Sequence, residues 1–168
     1  MRYSTALKLS AVCAALLLAA CESKPPAASE APPGPSAPMT TSNVVPGSEE
    51  DLRVNVGDTV HFAYDRYDIQ PEDQNTLQRQ AAWLQKYPGV HVTVEGHCDE
   101  RGTREYNLAL GARRANAVKQ VLVANGVSPA RIDTISYGKE RPICTESTEE
   151  CWAQNRRGVT VVTGGPSS

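Results

Sequence analysis

Between residues 59 and 163 the spacing of apolar residues switches repeatedly between a strand period and a helix period, and this alternation restricts the possible folds most. Residues 59–64 (TVHFAY) alternate as a strand, and 65–70 read as a loop. Pro71 opens a helix with Glu72 and Asp73 in its first turn. Leu77, Ala81 and Leu84 recur at i, i+4 and i+7, and Pro88-Gly89 ends the run. Residues 90–95 (VHVTVE) return to period two, and a polar loop fills 96–104. A long helix over 105–125 ends at Asn125-Gly126. A strand over 132–137, a short helix over 149–156 and a strand over 158–163 complete the series. Strands alternating with helices predict an α/β fold, a two-layer sandwich in the order β-α-β-α-β-(α)-β. Residues 51–163 are the expected domain, and 168 residues leave room for little more.

The residues before that domain cannot build a core. Residues 22–50 hold 7 of the 12 prolines and almost no large apolar side chain, so they read as a disordered tether. At the polyproline rise of ~3.1 Å per residue, that stretch reaches at most about 90 Å. Residues 164–168 read as a flexible tail. At the start, Arg2 and Lys8 precede an uncharged, mostly apolar run over residues 9–20, which suits a signal peptide and is too short to span a bilayer. The run ends in Leu18-Ala19-Ala20-Cys21, which resembles the bacterial lipobox. That resemblance implies removal of residues 1–20 and lipidation of Cys21. One acyl chain anchors only marginally, whereas three hold a protein in effect permanently. In the bacterial lipoproteins it resembles, Asp after the Cys often marks inner-membrane retention, so the resemblance with Glu22 in that place implies the outer membrane. Lys and Arg number 17 against 19 Asp and Glu, a balance that excludes a general electrostatic nucleic-acid binder.

Export sets the redox context, because disulfides persist outside the cytoplasm. Cys144 and Cys151 flank a turn-like Thr145-Glu146-Ser147-Thr148 and are expected to pair; Cys98 is then unpaired. His97 and Cys98 are adjacent and point to opposite sides of an extended chain, which is not a zinc spacing, so no metal and no cofactor is expected.

The chemistry concentrates in residues 94–122 (VEGHCDERGTREYNLALGARRANAVKQVL). The long helix carries an apolar stripe at Leu108, Ala115, Val118 and Leu122. Arg114 lies beside it, between Leu110 and Val118 at i−4 and i+4. A guanidinium among apolar neighbours needs an anionic partner, from the protein or from a ligand. Asp99, in the preceding loop, faces the same region. One Asp and one Arg around a small cleft match a zwitterion, the carboxylate receiving an ammonium and the guanidinium gripping a carboxylate in a bidentate fork. An internal Asp99–Arg114 salt bridge that merely orders the loop fits the same residues. If the pair serves a ligand, substituting either residue is expected to leave folding stability nearly intact.

The gapless stretch from Gly96 to Val118 (GHCDERGTxEYNxxLGxRRAxxV) resembles the OmpA-like peptidoglycan-binding domain family, most closely its lipid-anchored branch. Phe62-x-Tyr64-Asp65-x-Tyr67-Asp68-Ile69, Ser136-Tyr137-Gly138-Lys139-Glu140-x-Pro142 and Asn155-Arg156-Arg157 extend the likeness over about residues 58–162. The resemblance implies a four-stranded mixed sheet with helices on one face. It also implies a non-catalytic receptor for the diaminopimelate-containing peptide stem of peptidoglycan. Asp99 and Arg114 match the family's ligand-binding Asp and Arg. Asp65 matches a pocket Asp of the first loop, and Tyr64 and Leu110 match wall positions. Tyr64 stands where relatives often have Phe, and Cys98 where Ala or Thr is common. The resemblance further implies an outer-membrane lipoprotein with its domain in the periplasm, binding TolB and other parts of the Tol–Pal system that supports envelope integrity and cell division. Against this tether stand an enzyme, which would need paired carboxylates as acid and base, and an envelope protein-interaction module with an internal Asp99–Arg114 bridge.

Overall fold

The computed structural model describes residues 44–165. The signal peptide, Cys21, the tether up to residue 43 and the last three residues of the tail lie outside the described residues. Eight elements follow one another: α1 Glu49–Asp51, continued by a wider π turn over Leu52–Val56; β1 Thr59–His61; α2 Pro71–Lys86; β2 His91–His97; α3 Arg104–Ala124; β3 Ile132–Gly138; α4 Glu149–Asn155; and β4 Arg157–Gly164. The four strands form one sheet in the order β1-β4-β2-β3. β4 runs antiparallel to both β1 and β2, whereas β2 and β3 are parallel. A parallel pair needs a crossover, which α3 supplies.

The described residues before 51, where the domain is expected to start, also pack onto the fold. Ser48 caps α1, its Oγ accepting from Asp51 N at 3.2 Å. The Asp51 carboxylate accepts from Gly47 N at 2.8 Å, Trp83 Nε1 at 2.9 Å and Asn55 Nδ2 at 2.8 Å. Burial alone would raise this carboxyl's pKa, but the three hydrogen bonds outweigh it and hold it low. Leu52 is thereby delivered fully buried into the core. So short and polar a segment carries no periodic signal, which is why only the tertiary contacts reveal it.

The core lies between the sheet and the helices α2 and α3. Val60, Val92, Val94 and Ile132 of the strands meet Leu77, Ala81, Leu84, Ala115, Val118 and Leu122 of the helices. Gln80 is buried among them and bridges Gly57 O at 2.7 Å to the Thr160 hydroxyl at 2.8 Å, so no polar atom there goes unmet.

The inner stripe of α3 differs from the expected one at its start. Its buried residues are Asn107, Leu110, Gly111, Arg114, Ala115, Val118 and Leu122. Leu108 is half exposed over the end of β3, where the Ser136 hydroxyl donates to its carbonyl at 2.7 Å. The first turns of α3 pass beyond the apolar core, so polar residues and glycine hold the inward positions there. α3 meets β2 at backbone distance. A Cβ on Gly96 would lie 1.9 Å from Gly111 O, and one on Gly111 would lie 2.3 Å from Ser136 Oγ. This contact brings the end of β2, which leads into Asp99, against the turn of α3 that leads into Arg114.

Candidate functional site

Three segments converge beyond the C-terminal end of β2 and enclose a cleft of about 170 Å³. The β1–α2 loop supplies Tyr64 and Asp65. The β2–α3 loop supplies Cys98, Asp99, Arg101 and Gly102. The first turns of α3 supply Tyr106, Asn107, Leu110 and Arg114. All five expected ligand residues, Tyr64, Asp65, Asp99, Leu110 and Arg114, therefore line one cleft.

Local chemistry fixes the loop. Thr103 caps α3, its hydroxyl accepting from Tyr106 N at 3.2 Å. Buried Asn107 donates to Arg101 O at 2.7 Å and to Thr103 O at 3.1 Å, so the loop is sewn to the helix it precedes. Gly102 takes a positive φ of 89° at the turn between them. On the facing loop, Asp65 adopts a φ of 55°, and its carboxylate accepts the Tyr106 hydroxyl. That bond raises the Tyr106 pKa.

Arg114 is 1% exposed and is held by three main-chain oxygens, with the Cys98 thiol beside it. Its Nε donates to Arg66 O at 2.8 Å, Nη1 to His97 O at 2.8 Å and Nη2 to Ala63 O at 3.2 Å. The Phe62 ring lies 5.1 Å from its Cζ. Burial presses its pKa down, yet an arginine keeps its charge in such a setting. Among the described residues, no carboxylate comes within 4.0 Å of it. The three carbonyls leave two of its five N–H groups for other partners. The cleft thus contains a rigidly held cation that no carboxylate among the described residues pairs with directly, Asp99 acting on it only at longer range.

Asp99 is 4% exposed and has partners of its own. Arg101 binds it in a fork, Nη2 to Oδ2 at 2.6 Å and Nε to Oδ1 at 3.1 Å, and Arg156 Nη1 adds a contact at 3.3 Å. Burial would raise the carboxyl's pKa; the Arg101 bonds and charge, with Arg156, outweigh it and keep Asp99 ionised. The internal Asp99–Arg114 salt bridge is therefore corrected: the two residues line one cleft without pairing, because each is held by other groups. These contacts also bear on stability: Arg114 ties the β1–α2 loop to the end of β2 through three carbonyls, so its removal is expected to strip buried acceptors of their donors and cost stability.

Several residues of the site escaped the sequence reading. Asn107 lies on the inward face with Leu110 and Arg114, at helical spacing, so a full count of that face would have found it. Trp152 and Arg156 arrive from α4 and its C-terminal cap, 57 residues beyond Asp99 in the case of Arg156; no local pattern announces Trp152, and the Asn155-Arg156-Arg157 motif marks Arg156 without assigning it to the site. Cys144 and Cys151 form the expected disulfide ahead of them, and Cys98 is free and buried. Burial pushes the Cys98 thiol up to about 11, with Arg114 pulling the other way.

The cleft lies within a region of recognisable kinship. A family profile described as the OmpA family matches residues 61–156. The chain is 52% identical over 153 residues to the peptidoglycan-associated lipoprotein of Agrobacterium fabrum, covering 89% of this chain and 84% of that protein. It is 57% identical over 122 residues to the peptidoglycan-associated lipoprotein of Rhizobium meliloti, covering 73% of this chain and 69% of the relative. The crystal structure of the peptidoglycan-associated lipoprotein from Burkholderia pseudomallei matches with a TM-score of 0.62 at 43% identity, over 63% of this chain and 90% of that one.

Proposed function

The chain belongs to the OmpA family, and on that premise we propose that its cleft binds the diaminopimelate-containing peptide stem of peptidoglycan, reversibly and without turnover. The observation that carries this reading is Arg114, a buried guanidinium fixed by three carbonyls and directly paired with no carboxylate among the described residues. Such a cation is a seat for a ligand's carboxylate. The free end of diaminopimelate offers a carboxylate and an ammonium on one carbon. Arg114 takes the first, and Asp99 with Asp65 supplies negative charge for the second. Tyr64 and Leu110 wall the aliphatic stem between them.

Binding without chemistry also fits the groups present. A thiolate, not a thiol, is the nucleophile, and burial keeps Cys98 in the thiol form. His97 is buried with its pKa lowered to about 4, first by burial and then by Arg157 and Arg141. Its ring packs on Tyr137, 5.5 Å away, and is not among the groups lining the cleft.

The family premise and the Leu18-Ala19-Ala20-Cys21 motif support an outer-membrane lipoprotein anchored through Cys21, with the Pro-rich stretch reaching toward the cell wall. The same premise supports a place in the Tol–Pal system with TolB as partner. The test is calorimetry of the purified protein with a stem peptide whose diaminopimelate carboxylate is free, beside Asp99→Asn and Arg114→Lys, at a temperature where circular dichroism shows both variants folded. Binding by wild type that both substitutions abolish supports the reading. Equal binding by all three removes it.

A further inference from the structure

The carboxylate expected to receive the ligand's ammonium has no free position. A carboxylate offers about four lone-pair sites. On Asp99, Oδ1 accepts from Arg101 N and Arg101 Nε, both at 3.1 Å; Oδ2 accepts from Arg101 Nη2 at 2.6 Å and Arg156 Nη1 at 3.3 Å. Two of these four bonds come from the side chain of Arg101. Building on the peptide-binding reading, we propose that Arg101 is a displaceable plug: it occupies the cation seat on Asp99, swings out when a ligand's ammonium enters, and so sets the affinity of the cleft.

Of the three arginines in the site, only Arg101 has room to leave. Its side chain is 27% exposed, against 7% for Arg156. Arg114 is locked by its three carbonyls, and Arg156 is tied to Phe62 O at 3.0 Å. Arg101 also has somewhere to go. Its Nη1 already lies 3.6 Å from Glu149, a mostly exposed carboxylate that binds Arg156 at 2.6 Å. Asp99, Arg101, Glu149 and Arg156 form a closed ring of alternating charge. A guanidinium that leaves Asp99 keeps Glu149, and an arriving ammonium restores the alternation. The loop need not move, because Asn107 holds Arg101 O and Arg101 N stays on Asp99.

The plug is gripped from both sides. The Arg101 Cζ lies 4.1 Å from the Tyr64 ring centroid and 4.0 Å from that of Trp152. Such stacked cations are stabilised by the ring faces. Trp152 is itself fixed: its Nε1 donates to Glu100 at 3.0 Å, and it follows Cys151 directly in the disulfide-closed segment. α4 therefore forms one jaw of the grip on Arg101, although it contributes no lining residue to the cleft.

The experiment pairs calorimetry with NMR on the purified protein, Arg101→Met and Trp152→Leu, using the diaminopimelate stem peptide as probe. An arginine that merely contacts the peptide would weaken binding when removed. A plug predicts the opposite sign: Arg101→Met binds about tenfold more tightly, and Trp152→Leu tightens binding by a smaller factor. Two ring faces shift the Arg101 Nε–H proton upfield in the free wild-type protein, and saturating peptide returns it toward the ordinary arginine position. Weaker or unchanged binding by Arg101→Met, or a resonance unmoved at saturation, overturns the plug and leaves the peptide site standing. A resonance at the ordinary position in the free protein overturns it without any ligand. Binding by Arg101→Met alone supports a plug tight enough to close the cleft. If neither protein binds, the functional reading fails and the plug falls with it.

Discussion

Arg114 and Asp99 come from one motif and stand in opposite electrostatic conditions. Arg114 is a buried cation hydrogen-bonded to carbonyls and paired directly with no carboxylate among the described residues, whereas Asp99 is a buried anion matched by two guanidinium groups. Replacing Arg114 by Lys keeps the charge but loses the planar fork that reaches three carbonyls. We expect Arg114→Lys to weaken stem-peptide binding by roughly 2 kcal/mol or more and to lower the melting temperature, measured by titration and thermal melts. His97 gives a pH prediction. The fold keeps it neutral down to about pH 4, against an ordinary value of 6.5. Between those values the unfolded chain binds more protons, so stability falls as pH drops through that window. The loss from pH 7 to pH 5 is about 2 kcal/mol. Denaturant titrations at the two pH values should show it, and His97→Gln should flatten it. Sequence spacing made Asp99 and Arg114 legible as site residues but not their partners. Arg101 lay two residues away in plain view, while Arg156 is joined to Asp99 only by the fold.

At the scale of elements, the meeting of β2 and α3 determines the site. Glycine at Gly96 serves space rather than backbone conformation, since the Gly111 carbonyl fills the position of its missing Cβ. An exposed helical Gly→Ala change ordinarily stabilises by about 1 kcal/mol. At Gly111 the sign reverses, because the new methyl meets Ser136 Oγ and Gly96 O. We expect Gly111→Ala and Gly96→Ala each to destabilise by about 3 kcal/mol and to weaken peptide binding, as the two elements part and carry Asp99 away from Arg114. The main strands and helices were readable from periodicity and capping, with ends shifted by one to three residues. Two features were not. The α1 turn has no periodic face and is fixed by Asp51 and Trp83. The first turns of α3 bury Asn107 and Gly111 in place of Leu108, because Asn107 faces the polar cleft and Gly111 meets the backbone of β2 at Gly96.

For the whole molecule, the alternation of elements announced an α/β fold and the family resemblance implied a mixed four-stranded sheet, whereas the strand order is seen only in the structure. The disulfide-closed segment shows what long-range assembly adds: Cys144 and Cys151 were paired from the sequence, but the position of α4 beside the cleft was not visible there. Replacing both cysteines by Ser opens an eight-residue loop and should lower unfolding stability by about 2.5 kcal/mol on the loop-entropy argument, read by denaturant titration. The central claim is that a buried Arg114 without a directly paired carboxylate takes the carboxylate of a ligand. Its most direct test is calorimetry with two stem peptides that differ only in whether the diaminopimelate side-chain carboxylate is free or amidated. Binding of the free form and its loss on amidation is the expected result. Equal binding of both peptides, or of neither, would contradict it.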